Sequence, residues 1–224
     1  MEFTLLWAAF TGVAFAWVGT KIWSERLPDH PLDRMIGAGA VGLVVGRLAA
    51  MVSQGVNPLA HPADILIVRG GVHTGMASIG AIVAYLWTAK WDVRYLDATA
   101  PAALFGLAGW HAGCVWRGAC LGTASDLPWA WAEPGSTIGR HPVELYAALG
   151  LAIAAWIVSR LPWATLVKSG AALAAAGLVR LVTEPMRPSI TGGPIGWYIA
   201  AILCGMAVVL IAPRFYSTPN PQST

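Results

Sequence analysis

The sequence predicts an all-α integral membrane protein with about seven transmembrane helices. Hydrophobic residues make up 57% of the 224 residues, and charged residues make up only 11%, against roughly 25% charged residues in soluble domains. Several separate stretches are also long and apolar enough to span a bilayer, which requires roughly 20 residues each. This composition excludes a soluble globular enzyme, a disordered protein and a nucleic-acid-binding protein.

The predicted membrane-spanning helices follow one another with short connections. They cover residues 4–22, 35–53, 71–89, 97–117, 142–161, 165–183 and 193–213. At about 20 residues per span they take up most of the chain and leave no room for a separate soluble domain. We therefore expect one transmembrane domain over residues 1–215, followed by a disordered polar tail at residues 216–224.

The distribution of positive charge predicts the orientation of the chain, because cytoplasmic loops are enriched in Lys and Arg. The connections on one predicted side, together with the C-terminal tail, carry Lys21, Arg26, Arg34, Lys90, Arg94, Arg160, Lys168 and Arg214. Those on the other side carry Arg69, Arg117, Arg140 and Arg187. We expect the N-terminus outside and the C-terminus in the cytoplasm. Only Glu2 is charged ahead of the first span, which favours a retained helix over a cleaved signal peptide.

Ionisable side chains inside the predicted spans are candidate functional residues, since each costs about 2.5–3.5 kcal/mol on insertion scales. They are Arg47, His73, His111, Arg180 and Glu184, with Glu144 and Tyr146 just inside the fifth span. On the outer side arginines outnumber acidic residues, and a guanidinium binds phosphate oxygens in a bidentate manner. An anionic lipid phosphate is therefore the expected ligand.

Simpler explanations exist for several of these residues. Arg180 and Glu184 are four residues apart on one helix face, so they can form a purely structural ion pair. The three cysteines lie in apolar sequence surroundings, and we expect no disulfide among Cys114, Cys120 and Cys204. The spacing of the histidines and cysteines matches no standard zinc pattern, so we expect no metal site.

The most specific motifs lie between the fourth and fifth predicted spans. Residues 109–122 read GWHAGCVWRGACLG, followed by DLPW at 126–129 and HPVELY at 141–146. GRL at 46–48 precedes them, and GLVRLVTEPMR at 177–187 follows. In this order the motifs resemble the signature of the prolipoprotein diacylglyceryl transferase family, especially its variant with GRxGCFxxGCCxG.

The resemblance implies a transferase of lipoprotein biosynthesis in the bacterial cytoplasmic (inner) membrane. Its donor would be phosphatidylglycerol or a similar anionic phospholipid, and its acceptor the lipobox cysteine of a prolipoprotein. No metal, organic cofactor or nucleic acid is implied. By the same resemblance, Arg180 holds the lipid phosphate, Glu184 orients Arg180, and Gly122 admits the ligand close to the backbone.

Several positions of the family pattern are filled differently in this chain, including Ala119, which stands where the family usually has an acidic residue. His111 stands where the family has an arginine, and Gly75 stands where the family has a histidine in the third span. His73, two residues earlier, is the predicted general base, and His111 is a second catalytic group or phosphate ligand. The remaining predicted substrate-binding residues are Arg47, Cys114, Arg117, Gly122, Arg140, His141, Glu144, Tyr146 and Arg187.

Other functions remain open from the sequence. A catalytically inactive or acceptor-shifted relative would keep the arginines in order to bind anionic lipid or a membrane partner. A small transporter is less consistent with the sequence, because the ionisable residues gather toward one leaflet instead of following a path across the bilayer.

Overall fold

Seven long helices make up most of the computed structural model, which describes residues 4–24, 27, 29–66, 71–162, 166–188 and 193–215. The long helices are α1 (Thr4–Ile22), α2 (Pro31–Ser53), α4 (Thr74–Thr88), α5 (Arg94–Ala112), α7 (Val143–Arg160), α8 (Val167–Thr183) and α9 (Ile195–Phe215). Two short helices of four residues each, α3 (Ala63–Leu66) and α6 (Cys114–Arg117), lie between them. A 3-10 turn at Glu184–Met186 follows α8. The predicted spans coincide with the long helices to within a few residues, so the mainly helical class is confirmed. The predicted tail at 216–224 lies outside the described residues.

Within the part of the chain that the structure describes, three helices are long and apolar enough to cross a membrane, namely those at Pro31–Ser53, Val143–Arg160 and Ile195–Ala212. On α7 the exposed face is apolar: Leu149, Ile153 and Trp156 are each more than half exposed. These residues recur at i, i+4 and i+7 and so form one stripe along the helix. Such a face is unfavourable in water and suits a lipid environment.

One compact unit comprises residues 28–96. Here α2 packs closely against α4 through small residues, as is common between membrane helices. A Cβ atom on Gly46 would lie 2.6 Å from both the Ala77 Cβ and the Val72 Cγ1. The glycine therefore permits an approach of the two helices that a larger residue would prevent.

The other compact unit comprises residues 1–27 and 97–224. Its core contains Leu104, Ala108, Leu151, Ala154, Ala155 and Val158, contributed by α5 and α7. Helices α8 and α9 also approach closely, because a Cβ on Gly177 would lie 2.7 Å from the Tyr198 carbonyl oxygen. A two-stranded antiparallel hairpin, β1 (Trp131–Ala132) and β2 (Gly139–Arg140), precedes α7. A single domain over 1–215 stays a prediction.

Cys114 and Cys120 form a disulfide, so the prediction of no disulfide was wrong. Cys114 begins the short helix α6 and Cys120 follows it. Between them, the C-cap residue Gly118 has a positive φ of 60°. This left-handed residue reverses the chain and brings the second cysteine back to the first. Apolar surroundings alone could not indicate that turn. Cys204 is free and exposed.

The packing of α2 against α4 predicts different effects for two glycines of the same helix. Gly46→Ala should destabilise the protein by about 1–3 kcal/mol through overpacking, or about 2–4 °C in melting temperature per kcal/mol. Gly37→Ala is the matched control, because a Cβ there meets nothing within 4 Å, and it should raise the melting temperature slightly. Thermal unfolding in detergent measures both. Equal melting temperatures for the two variants would contradict the described packing.

Candidate functional site

Five ionisable side chains meet in the unit formed by residues 1–27 and 97–224, where α5 and α8 end and α7 begins. This charged cluster consists of His111, Glu144, Arg180, Glu184 and Arg187. All five were predicted as site residues from the sequence. Glu144, Glu184 and His111 are buried, and each is less than a tenth exposed. Buried charges require close partners, and the geometry of the cluster supplies them.

The carboxylate of Glu144 connects the two sides of the charged cluster. Its Oε2 atom lies 2.6 Å from the Nδ1 atom of His111, and its Oε1 atom lies 2.7 Å from the NH1 atom of Arg187. Glu144 is in the first turn of α7, and His111 is in the last turn of α5. One side chain thus holds an imidazole and a guanidinium in fixed relation to each other.

A second carboxylate, that of Glu184, lies between the two arginines. Its Oε2 atom is 3.6 Å from Arg187 Nε and 3.9 Å from Arg180 NH2. The Tyr198 hydroxyl completes this arrangement, because it accepts a hydrogen bond from Arg180 NH2 at 2.9 Å and donates to Glu184 Oε2 at 3.3 Å. Sequence reasoning missed Tyr198, since a tyrosine near a predicted span end is typical of the interfacial aromatic belt.

Several nitrogen atoms of the site have no hydrogen-bond partner in the part of the chain that the structure describes. These buried nitrogen atoms are Arg180 NH1, Arg187 Nε, Arg187 NH2 and His141 Nδ1. A buried polar group without a hydrogen bond costs about 1–3 kcal/mol. The Nε and NH2 atoms of Arg187 form one edge of its guanidinium, the edge that grips two oxygens of a phosphate or carboxylate. The arrangement suits an anionic ligand.

A cleft of about 400 Å³ opens beside Arg187. Its lining residues are Ala119, Leu121, Val143, Glu144, Glu184, Arg187 and Pro188. The wall is therefore partly apolar and partly charged. A molecule that combines an anionic group with an apolar part fits this combination.

Gly122 lets two segments of the cleft approach each other. A Cβ there would collide with the Met186 carbonyl oxygen, and the neighbouring Thr123 N–H donates to that same oxygen at 2.8 Å. Gly122 itself donates to the His141 carbonyl at 2.7 Å and accepts from Arg140 NH1 at 3.1 Å. At Gly122 the structure thus shows a close contact with the protein's own backbone at Met186. A close contact between Gly122 and a ligand stays a prediction.

Three further predicted residues border the cluster or its supporting loop. The sulfur of Cys114 is part of the disulfide and is not a free thiol, and a role of this residue in substrate binding stays a prediction. The Tyr146 hydroxyl accepts a hydrogen bond from Trp129 Nε1 at 2.8 Å. Arg117 belongs to α6, but its side chain lies outside the described residues.

Arg47 and His73 belong to the other compact unit, residues 28–96. Arg47 is buried and donates to the carbonyl oxygens of Asp64 and Gly71 at 2.9 and 3.0 Å. His73 caps the N-terminus of α4, because its Nδ1 atom accepts the Met76 N–H at 3.3 Å. A neutral His73 then carries its proton on Nε2, and its lone pair is engaged by the cap. Both contacts support local structure.

Comparison with known proteins agrees with the sequence motifs. The family model described as prolipoprotein diacylglyceryl transferase matches residues 3–215. The phosphatidylglycerol–prolipoprotein diacylglyceryl transferase of Cupriavidus necator is 33% identical over 180 residues, covering 75% of this chain and 65% of that protein. The enzyme of that name from Dechloromonas aromatica is 31% identical over 212 residues, covering 84% and 81%. The chain therefore spans just under two thirds of the first relative and about four fifths of the second.

The central place of Glu144 predicts a stability effect. Glu144→Gln should lower stability by about 1–3 kcal/mol, because the amide removes the nearer of the two carboxylates that pair with Arg187 and leaves only Glu184 at 3.6 Å. Glu133→Gln is the control, since Glu133 is exposed in the hairpin loop. Melting temperatures in detergent give the comparison. If both variants melt at the wild-type temperature, Glu144 does not hold the charged cluster together.

Proposed function

The chain belongs to the prolipoprotein diacylglyceryl transferase family, and we propose that it transfers the sn-1,2-diacylglyceryl group of phosphatidylglycerol to the lipobox cysteine of a prolipoprotein. The observation that carries this proposal is the pair of buried Arg187 nitrogens, Nε and NH2, which have no hydrogen-bond partner among the described residues and belong to a side chain that lines a partly apolar cleft. A phospholipid offers an anionic group and an apolar body together. Curated relatives carry this activity in their names.

The two arginines bind the lipid phosphate in different ways in this proposal. Arg187 lines the cleft and offers its Nε and NH2 edge, which fits two phosphate oxygens. Arg180 contributes NH1, which has no hydrogen-bond partner among the described residues, while its NH2 atom donates to Tyr198. Resemblance to the family assigned the phosphate to Arg180, and the geometry favours Arg187 as the principal ligand.

The proposed reaction increases the charge that these arginines face. The acceptor thiolate attacks the glyceryl carbon that carries the phosphate, so a C–S bond forms and the C–O bond to phosphate breaks. The phosphodiester bears one negative charge, and the departing glycerol 1-phosphate bears two. Guanidinium groups aimed at the phosphate therefore bind the transition state more strongly than the substrate, which is the condition for catalysis.

His111 is the general base of the proposed reaction. With Nδ1–H directed at Glu144 Oε2, the neutral imidazole keeps a lone pair on Nε2 that can accept the thiol proton. Glu144 fixes the tautomer and stabilises the imidazolium that forms, as a carboxylate does beside a catalytic histidine. His73 remains the alternative base, although its Nδ1 lone pair is engaged at the start of α4.

The proposed setting is the bacterial cytoplasmic membrane, with seven spans, the N-terminus outside and the C-terminus inside. The apolar exposed face of α7 supports a lipid environment, and the excess of Lys and Arg on one side supports this orientation. The charged cluster would then lie toward the outer leaflet. Single-domain organisation over residues 1–215 belongs to the same proposal.

Transfer by the purified protein tests the proposed function directly. Vesicles of phosphatidylglycerol containing the protein should convert a lipobox peptide to its diacylglyceryl thioether, detected by mass spectrometry. Phosphatidylcholine vesicles, and a peptide with serine in place of cysteine, should give no product. Binding of phosphatidylglycerol without any adduct would instead select the inactive, lipid-binding relative.

Arg187→Lys should reduce the transfer rate by about 10²-fold, the usual cost of one misplaced donor to a developing oxyanion. Lysine keeps the positive charge but lacks the two-nitrogen edge. Arg160→Lys is the control. Arg160 is exposed at the C-terminal end of α7, away from Glu144 in the first turn of that helix, and its substitution should leave the rate unchanged. A fully active Arg187→Lys protein would rule out bidentate recognition by this residue.

Substitution of the two histidines by asparagine separates the candidate bases. His111→Asn should lower the rate by about 10²–10⁴-fold, the contribution of a general base. His73→Asn should keep most of the turnover, since asparagine is also a favourable N-cap residue. Single-turnover rates and melting temperatures are measured together. Loss of transfer in a stably folded His73→Asn protein, with an active His111→Asn protein, would reverse the assignment.

A further inference from the structure

Tyr198 contacts both members of the Arg180–Glu184 pair although it lies on a different helix. Its hydroxyl is 2.9 Å from Arg180 NH2 and 3.3 Å from Glu184 Oε2. Its ring also faces the guanidinium, with the Arg180 Cζ atom 5.4 Å from the ring centroid. Only 5% of the tyrosine is exposed. A buried phenol with two charged partners is held strongly in place.

The packing of α8 against α9 fixes where this ring can lie. Gly177 approaches the backbone of Tyr198 so closely that a Cβ would lie 2.7 Å from its carbonyl oxygen. Arg180 is three residues after Gly177 and therefore on the same face of α8. The tyrosine ring then reaches the guanidinium without any need for a long, flexible side chain.

Contact with Tyr198 determines which part of Arg180 is available to a ligand. The hydroxyl occupies NH2, and the ring covers one face of the guanidinium. The NH1 atom is buried and has no hydrogen-bond partner among the described residues. Tyr198 thus restricts the orientation of Arg180 and leaves the hydrogen-bonding capacity of NH1 unused.

We propose that Tyr198 is a positioning residue of the phosphate site, and that its hydroxyl and ring hold Arg180 so that NH1 is directed at the lipid phosphate. This inference rests on the proposed function. Because the charge on the phosphate increases during the reaction, a misaligned Arg180 weakens transition-state binding more than substrate binding. The last long helix thereby contributes to catalysis without touching the reacting atoms.

Tyr198→Phe tests the inference, because it keeps the ring and removes only the hydroxyl. We expect kcat for transfer to fall about tenfold, while KM for phosphatidylglycerol changes far less. Tyr85→Phe is the matched control. That tyrosine is equally buried and donates to the Tyr95 carbonyl at 3.3 Å, but it lies outside the site, and its loss should change the melting temperature without changing kcat.

A double-mutant cycle distinguishes positioning of Arg180 from a general structural effect. In an Arg180→Met background, which removes the guanidinium, Tyr198→Phe should cause no further loss in single-turnover rate. Equal fractional losses in both backgrounds would overturn the proposal, and so would a wild-type kcat in the Tyr198→Phe protein. A wild-type protein with no transfer would sink the proposed function and this inference together, whereas an active wild type with an unaffected variant sinks only the inference.

Discussion

The carboxylate of Glu144 is the contact on which the site depends. One oxygen lies 2.6 Å from His111 and the other 2.7 Å from Arg187, so the same buried group holds the proposed base and the proposed phosphate ligand. Without Glu144, the His111 imidazole would lose this contact and Arg187 would keep only the Glu184 carboxylate at 3.6 Å. A poorly paired buried charge costs several kcal/mol. Three helix ends converge on this pair of contacts.

The surrounding backbone keeps Glu144 at this position. The Glu144 N–H donates to the Cys120 carbonyl at 3.3 Å, and Cys120 is tied to Cys114 by the disulfide. Cys114 comes three residues after His111, so the disulfide links the end of α5 to the segment that supports the first turn of α7. Gly122 then allows that segment to pack against the turn after α8. Covalent and steric constraints thus converge on one carboxylate.

Much of the fold followed from hydropathy, because a span requires a long apolar stretch and every predicted stretch became a helix. The members of the charged cluster were also visible, since ionisable residues are conspicuous in apolar sequence. Most of the contacts that these residues make could not be predicted from the sequence. The contact between His111 and Glu144 joins positions 33 residues apart, Tyr198 resembled a membrane anchor, and the disulfide depended on a left-handed turn at Gly118. Each of these depends on tertiary geometry, which local patterns do not encode.

The central claim is that one carboxylate couples proton removal to phosphate binding, and the transfer rate of Glu144→Gln tests it most directly. The rate should be measured by single turnover in phosphatidylglycerol vesicles, below the melting temperature of the variant. Because both functions depend on Glu144, we predict a loss of at least about 10²-fold, the scale of a general base. Transfer at the wild-type rate by a folded Glu144→Gln protein would contradict this account.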